Sequence, residues 1–313
     1  MLAVMQVGFG VRVIRVFAVL GLLLGTLVVG DKAPAIAAVD CAIPTSGVAP
    51  VSTPIVATPI ASAIAATPVS ERDQLKTSLR DLVQVVSACK SAGDFQTMSR
   101  LVTEKYLGQV YGGGPRMSRE TFLVIAETLP TPKIRFRAFD DLSIIGPGEA
   151  RANVTLIAGN QLIFERLSFV EEKNRPGQWL IDSTEPLRVR PPRDHANVRI
   201  TITGNRYSPD ELTADNATVE IRASNSDKED HELLVLKLDT GLTTHDVLTT
   251  PGPNLPDGAR YIGQVTIPAR ESGTLVLVDL KPGTYTIVDL LPAANGVPHL
   301  AVGMEATLTV TGE

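Results

Sequence analysis

The sequence has no excess of basic residues, and it contains few aromatic residues and only two cysteines. Lys and Arg number 29 against 34 Asp and Glu, which gives a net charge of −5, and the charges are mixed along the chain. This balance gives no indication of nucleic-acid binding. By contrast, 25 Gly and 22 Pro are more than a helical protein tolerates, which favours strands joined by turns. A length of 313 residues predicts two modest domains with accessory segments.

The N-terminus has the pattern of a secretory signal. Arg12 and Arg15 precede an uncharged run from Val16 to Gly30, and Ala35-Ile36-Ala37 places small residues where a signal peptidase cuts. We therefore predict a signal peptide over residues 1–38. An uncleaved membrane anchor is the alternative, because the run is only slightly shorter than the roughly 20 residues of a spanning helix. Both alternatives place the rest of the chain outside the cytoplasm, secreted or attached to the cell envelope.

A linker rich in Pro, Ala and Thr is predicted over residues 39–70. Its repeated Pro, as in Thr53-Pro54-Ile55 and Thr58-Pro59-Ile60, favours extended conformations. Cys41 lies near the start of this linker, and Cys89 lies beyond it. Export permits a disulfide between the two, but the sequence alone does not establish it.

Helical periodicity and then strand alternation occupy residues 71–190. Apolar residues recur at three- and four-residue steps from Glu71 to Ala92, which predicts a helix there. Two shorter helices are predicted from Asp94 to Leu107 and from Ser118 to Thr128. Alternating apolar and polar residues then predict four strands, near 134–138, 152–156, 161–170 and 178–183. The order predicts an α+β domain whose helices pack on an antiparallel sheet.

This order of elements, together with the ending Gly177-Gln-Trp-Leu-Ile-Asp182, resembles the nuclear transport factor two-like or SnoaL-like superfamily. The resemblance covers residues 71–190. It implies a curved sheet wrapped around the long helix to form a cone, and a small apolar ligand held inside that cone. Some cone-shaped relatives are isomerases or cyclases that use an acidic residue or a His as the general base.

The residues that such catalysis needs are missing from this domain. It contains no His, no nucleophile beside a base and no phosphate-binding glycine loop. The candidate acids and hydrogen-bond donors are Glu127, Asp140, Asp141, Glu165, Asp182, Tyr106 and Tyr111. Neighbouring strand residues face opposite sides, so Asp140 and Asp141 share a face only across a bulge. We therefore predict that the domain is not catalytic, with an isomerase- or cyclase-like enzyme as the alternative.

Only short strand patterns follow the connector at residues 191–196. They lie at 198–202, 219–223, 234–238, 275–277, 285–291 and 306–310. Turns rich in Gly and Pro, such as Pro251-Gly-Pro253 and Lys281-Pro-Gly283, separate them. This pattern predicts an all-β sandwich over residues 197–313.

The segments around His231, around Tyr285 and from Asp289 to Met304 resemble the cupredoxin family, a Greek-key sandwich that holds blue copper. Such a site needs two His, one Cys and usually an axial Met. The resemblance implies that His231, His299 and Met304 match the two His and the Met, while Asp289 stands where the Cys is expected. A carboxylate is a hard ligand, so we predict that no blue electron-transfer centre forms. His195 and His245 are expected to be solvated surface residues.

These observations leave three functional hypotheses. The first is a non-catalytic binding or interaction protein of the cell envelope that has no bound metal and docks an envelope partner. The second is a protein that binds Cu(II) or Zn²⁺ through His231, Asp289 and His299. The third is an enzyme in the cone. Loss of the thiolate, the softest ligand, favours the first hypothesis.

Overall fold

The computed structural model describes residues 41, 70–112, 114–129, 131–250 and 255–312. The predicted signal peptide, nearly all of the predicted linker and the turn at Pro251-Gly-Pro253 lie outside these residues. No helix in the described part of the chain is long and apolar enough to cross a membrane.

Four helices form the first part of the fold. They are α1 (Glu71–Ala92), α2 (Phe95–Arg100), α3 (Glu104–Leu107) and α4 (Arg119–Ala126), with a π-helical turn at Gly108–Gly112 after α3. The bounds predicted for α1 are confirmed. The Ser70 hydroxyl accepts a hydrogen bond from the Asp73 amide, and Gly93 ends the helix at φ 73°. The single helix predicted from Asp94 to Leu107 is wrong, because Leu101 ends α2 and Thr103 caps α3 as a new helix.

The next four strands form an antiparallel meander. They are β1 (Ile134–Gly146), β2 (Glu149–Ala158), β3 (Gln161–Glu171) and β4 (Trp179–Pro186), paired in sequence order. Buried residues of α1, such as Leu79 and Val86, share one hydrophobic cluster with Val154 and Phe169 of the sheet. Because apolar burial is the main stabilising term, this cluster holds the helices to one sheet face. Cys41 is joined to Cys89 of α1 by a disulfide.

The remaining strands belong to two sheets. The strands are β5 (Ala196–Ile202), β6 (Tyr207–Ser208), β7 (Glu211–Ala214), β8 (Val219–Asn225), β9 (His231–Leu238), β10 (Ala259–Ile267), β11 (Ser272–Leu277), β12 (Gly283–Val288) and β13 (Glu305–Val310). One sheet contains β11-β8-β5-β6 and the other β10-β9-β12-β13-β7. A second hydrophobic cluster contains residues of both sheets, including Ile200, Ile221, Val235 and Leu308. The two sheets therefore enclose one core as a β-sandwich. A short helix, α5 (Thr244–Thr249), was not predicted.

A continuous sheet joins the two halves of the structure. Gln161 of β3 pairs with Leu277 of β11, so the meander and one sandwich sheet form a single eight-stranded sheet. The Asn160 side-chain amide donates to the carbonyls of Val278 and Asp279. The Asp279 carboxylate in turn lies 2.9 Å from the Arg135 guanidinium. Backbone and side-chain contacts therefore connect the halves, and a small hydrophobic cluster of Ile157, Val276 and Val278 also spans both.

Candidate metal site

His231 is the first residue of β9, and it lies at the end of a turn that Asn225 organises. The Asn225 side chain accepts a hydrogen bond from the Asp227 amide at 2.8 Å and donates to the Glu229 carbonyl at 2.8 Å. It also donates to the Ile267 carbonyl across the sheet. These bonds satisfy the polar groups of the turn and hold it over the start of β9. His231 is thereby fully buried, with 0% of its surface exposed.

Asp289 and His299 come from one loop that folds back on itself after β12. Asp289 directly follows the strand, and His299 opens a 3₁₀ turn at His299–Val302. The Leu300 amide donates to the Asp289 carbonyl at 2.7 Å, and the Asp289 amide donates to the Met304 carbonyl at 3.3 Å. The Met304 amide donates to the His299 carbonyl at 3.2 Å. This backbone bonding places residues 289, 299 and 304 side by side, although 15 positions separate the first from the last.

Three of the four residues predicted for the site converge on one oxygen atom. Asp289 Oδ2 lies 2.8 Å from His231 Nδ1 and 3.0 Å from His299 Nδ1. One ligand atom from each of the three residues lies within 4.8 Å of the other two, and all three residues are fully buried. The two imidazole rings are 4.4 Å apart between centroids and tilted by 48°. Met304 is also fully buried, and it packs in the core between the sheets.

Each imidazole faces a second carboxylate through its other nitrogen. His299 Nε2 lies 3.2 Å from Glu229 Oε2, in a hydrogen bond. His231 Nε2 lies 3.3 Å from Asp227 Oδ2, which is an ionic contact, but the angles are not those of a hydrogen bond. Among the described residues, this Nε2 is the one buried side-chain nitrogen or oxygen without a hydrogen-bond partner. Sequence reasoning missed Asp227 and Glu229, because a polar turn before a strand is ordinarily only solvated.

Carboxylates outnumber imidazoles in this cluster, because His231 and His299 face Asp227, Glu229 and Asp289. Burial lowers the pKa of His299, but the hydrogen bonds and charges of Asp289 and Glu229 outweigh it, so the net pKa is raised. Burial raises the pKa of Asp227. Hydrogen bonds from the Gly204 and Asn205 amides and the nearby His231 together lower it by more, so the net pKa is below its ordinary value. The surroundings therefore favour positive charge on His299 and negative charge on Asp227.

A neutral imidazole cannot satisfy both of its carboxylate neighbours. It carries one N–H, so its other nitrogen presents a lone pair to a carboxylate oxygen, and the two repel. The repulsion is relieved at His231 and His299 in two ways. Either both rings take a second proton, or a divalent cation is held by the Nδ1 atoms while each Nε2 carries a proton that faces its neighbouring carboxylate. Both solutions add two positive charges, so the residues present fit a divalent metal ion.

A fourth acid, Glu232, is buried like Asp289. Glu232 is 1% exposed, and it accepts hydrogen bonds from the Leu290 amide at 2.9 Å and from the Gln264 side-chain amide. Burial, and next the charge of Asp289, raise the pKa of Glu232 to about 7. Sequence reasoning missed Glu232 as well, since its position on β9 has no feature that distinguishes it from a solvated strand residue.

The remaining histidines are not part of this cluster. His195 keeps part of its surface in solvent, with 22% of its side chain exposed, and its Nε2 lies 3.5 Å from Glu220. The ring is held there by a contact of 2.8 Å between Nδ1 and the Pro192 carbonyl oxygen. His245 is exposed as predicted, but it lies in helix α5.

The acidic candidates of the first half do not form a site together. Glu127, Asp140 and Asp141 are exposed, although the register of β1 and β2 does shift between Asp140 and Ser143. Asp182 binds the Lys105 ammonium at 2.5 Å. Glu165 alone lies on the sheet face that the helices cover, because it pairs across the sheet with the fully buried Val154.

Comparison with known proteins gives only distant similarities. No family model matches the chain, and no curated protein matches its sequence. Reduced auracyanin from the photosynthetic bacterium Roseiflexus castenholzii is a similar solved structure, with 22% identity over 37% of this chain and 96% of that one, at a TM-score of 0.30. Auracyanin A, a blue copper protein from Chloroflexus aurantiacus, is 18% identical over 37% of this chain and 98% of that one, at a TM-score of 0.29.

Proposed function

We propose that this protein binds one divalent transition-metal ion, Cu(II) or Zn²⁺, through His231, Asp289 and His299, on a cupredoxin-like sandwich outside the cytoplasm. The observation that carries the proposal is the pair of buried imidazoles, each between two carboxylate oxygens. Ligating histidines ordinarily donate their second N–H to a carboxylate, as the Nε2 of His299 is placed to do toward Glu229. The N-terminal signal pattern supports export.

The ligand set decides which chemistry the ion supplies. Two imidazole nitrogens and one carboxylate suit Zn²⁺ or Cu(II), whereas Cu(I) prefers thiolate or thioether ligands. A site without thiolate therefore favours holding the ion over rapid one-electron exchange. Two ligands of one zinc ion, at bonds of about 2.0 Å, are separated by about 3.3 Å, so the distances of 2.8 and 3.0 Å require only a small outward movement. Storage, sensing or delivery of the ion is the role that this set supports.

Metal content of the purified protein tests the proposal directly. After incubation with Cu(II) or Zn²⁺ and exhaustive desalting, we expect about one ion per chain by mass spectrometry. His231→Ala and His299→Ala should each reduce the retained metal to about a tenth or less, because a three-residue site keeps too few ligands after either change. His245→Ala is the matched control, since this exposed histidine lies outside the site. Absence of retained metal in the unmodified protein would leave a hydrogen-bonded triad on a docking module, the competing hypothesis.

The affinity for the ion should depend steeply on pH. Protons and the ion compete for the two Nδ1 atoms, and the pKa of His299 is raised above its ordinary value of 6.5. We therefore expect the affinity to weaken already as pH falls through this raised pKa, rather than only below 6.5. Calorimetric titration with Zn²⁺ in buffers of different ionisation enthalpy should show release of protons on binding near neutral pH. Binding that is independent of pH between 6 and 8 would contradict this assignment of ligands.

A further inference from the structure

A second polar cluster lies in the helical half of the structure, far along the chain from the proposed metal site. Lys90, in the last turn of α1, donates a hydrogen bond of 2.6 Å from Nζ to the Tyr106 hydroxyl. The same ammonium lies 5.1 Å from the ring centroid of Tyr106 and 5.6 Å from that of Tyr111. Tyr106 is 4% exposed. Lys90 as a whole keeps some surface, while its ammonium group is deeply enclosed by protein.

This enclosed cation lacks a direct counter-ion. Within the described ranges, no carboxylate oxygen lies within 4.0 Å of Lys90 Nζ. Glu165 is near enough to act on Lys90 electrostatically, but its carboxylate accepts a hydrogen bond of 2.5 Å from the Thr184 hydroxyl. Taking an ammonium out of water costs several kcal/mol unless it is paired. The Tyr106 hydroxyl, which accepts its hydrogen bond, and the Tyr111 ring, 5.6 Å away at its centroid, compensate the cation only in part.

The protonation states make the cluster a set of donors and not a catalytic base. Burial raises the pKa of Tyr106 to about 12, so its hydroxyl keeps its proton at neutral pH. Burial lowers the pKa of Lys90. The neighbouring phenolic oxygens and Glu165 together raise it by more, so the net pKa is above its ordinary value. General acid–base catalysis needs a group that titrates near the working pH. The cluster is therefore suited to holding negative charge in place.

Apolar side chains lie on the same sheet face as Glu165. Ile163 lies two residues before Glu165 on β3 and shares its face, and Phe136 lies on the same face of β1. Both are only partly buried, as are Tyr111 and Met117 on the helical side, and all four pack against the core cluster. A binding site of partly exposed apolar surface with a few convergent donors is typical of small-molecule recognition.

We propose that Lys90, Tyr106 and Tyr111 form a binding site for the anionic head of a small amphiphile, a monocarboxylate whose apolar tail lies against the partly buried residues of the β1–β3 face. The Lys90 ammonium supplies the charge and the Tyr106 hydroxyl a hydrogen bond. The Tyr111 ring packs beside the ammonium, with its centroid 5.6 Å from Nζ. This site is independent of metal binding, because none of its residues contacts His231, Asp289 or His299.

Paired titrations of the full protein with decanoate and with decan-1-ol test the site. The two probes share their tail and differ in head charge. We expect decanoate to bind more tightly than decanol, and Lys90→Met to weaken decanoate binding by about tenfold to hundredfold, the range for hydrogen bonds to a charged group. Decanol binding should be unchanged in Lys90→Met, because the methionine keeps the apolar stem.

A stability measurement separates a ligand site from a structural lysine. If the cation awaits a ligand, Lys90→Met without ligand should melt at a higher temperature than the unmodified protein, and decanoate should raise the melting temperature of the unmodified protein alone. Tyr106→Phe gives a second variant, with weakened decanoate binding and unchanged decanol binding. Equal affinity of the unmodified protein for both probes, no decanoate binding at all, or a destabilised Lys90→Met that binds decanoate normally would each overturn the proposal.

Discussion

Replacing Asp289 by Cys is expected to turn the colourless protein intensely blue when Cu(II) is added. Both His Nδ1 atoms point at the side chain of residue 289, at 2.8 and 3.0 Å from Asp289 Oδ2. A cysteine sulfur lies one bond nearer to the main chain than a carboxylate oxygen does. The substitution therefore places a thiolate beside the two imidazoles and leaves space between them for the ion. Two His and one Cys are the set that produces a blue copper site.

The fourth residue of such a site is already in place. Met304 is fully buried, and its backbone hydrogen bonds to both His299 and Asp289 hold it next to the other residues of the site. The measurement is the visible absorption spectrum of Asp289→Cys titrated with Cu(II), compared with the unmodified protein. Asp289→Ser is the control, because serine has the size of cysteine but cannot supply the copper–sulfur bond that gives the colour. Failure of Asp289→Cys to develop intense absorption would show that the two imidazoles are not directed at one ion.

Replacing Glu232 by Gln is expected to stabilise the protein by about 3 kcal/mol above pH 7, because the pKa of Glu232 is raised from 4.5 to about 7 in the fold. In the unfolded chain this carboxyl ionises near its ordinary pKa. Between the two pKa values the folded protein holds more protons than the unfolded chain, so the free energy of unfolding falls as pH rises. The destabilisation caused by the buried Glu232 carboxylate is absent below pH 4.5 and fully present above pH 7. Gln keeps the shape and accepts the Leu290 hydrogen bond through its oxygen, and the Gln264 amide, which donates to Glu232, turns its own oxygen toward the new NH2 group.

Denaturant unfolding of the metal-free protein between pH 4.5 and 8 measures this effect. The difference between Glu232→Gln and the unmodified protein isolates Glu232, because His299 titrates in both. We expect the two curves to meet near pH 4.5 and to separate progressively up to about pH 7. Glu305→Gln is the control, since Glu305 is exposed on β13, and it should leave the profile unchanged. Parallel curves for Glu232→Gln and the unmodified protein would contradict the burial of an uncompensated carboxyl.

Local patterns in the sequence were sufficient to predict most of the helices and strands. Helix α1 was predicted because its apolar residues repeat at helical spacing and because Ser70 and Gly93 provide its two caps. Strand β9 was predicted because Leu234, Leu236 and Leu238 recur at every second position and a polar turn precedes the strand. Between Asp94 and Leu107 a single helix was predicted, so the boundary between α2, which Leu101 ends, and α3, which Thr103 caps, was missed. Thr103 caps a new helix there through its hydroxyl and also bonds Asp182, 79 positions away.

The sequence by itself determined the residues of the proposed metal site, because His231, Asp289, His299 and Met304 occupy a spacing that resembles one family. Only the tertiary structure decided what surrounds them. Asp227, Glu229 and Glu232 became part of the site because a turn and a strand brought them within 2.9–3.3 Å of groups up to 70 positions distant. Lys90 donates a hydrogen bond to Tyr106 because α1 and α3 pack on the same sheet face. Spacing along the chain records local geometry, whereas burial and charge pairing depend on which elements pack together, and no local pattern encodes that.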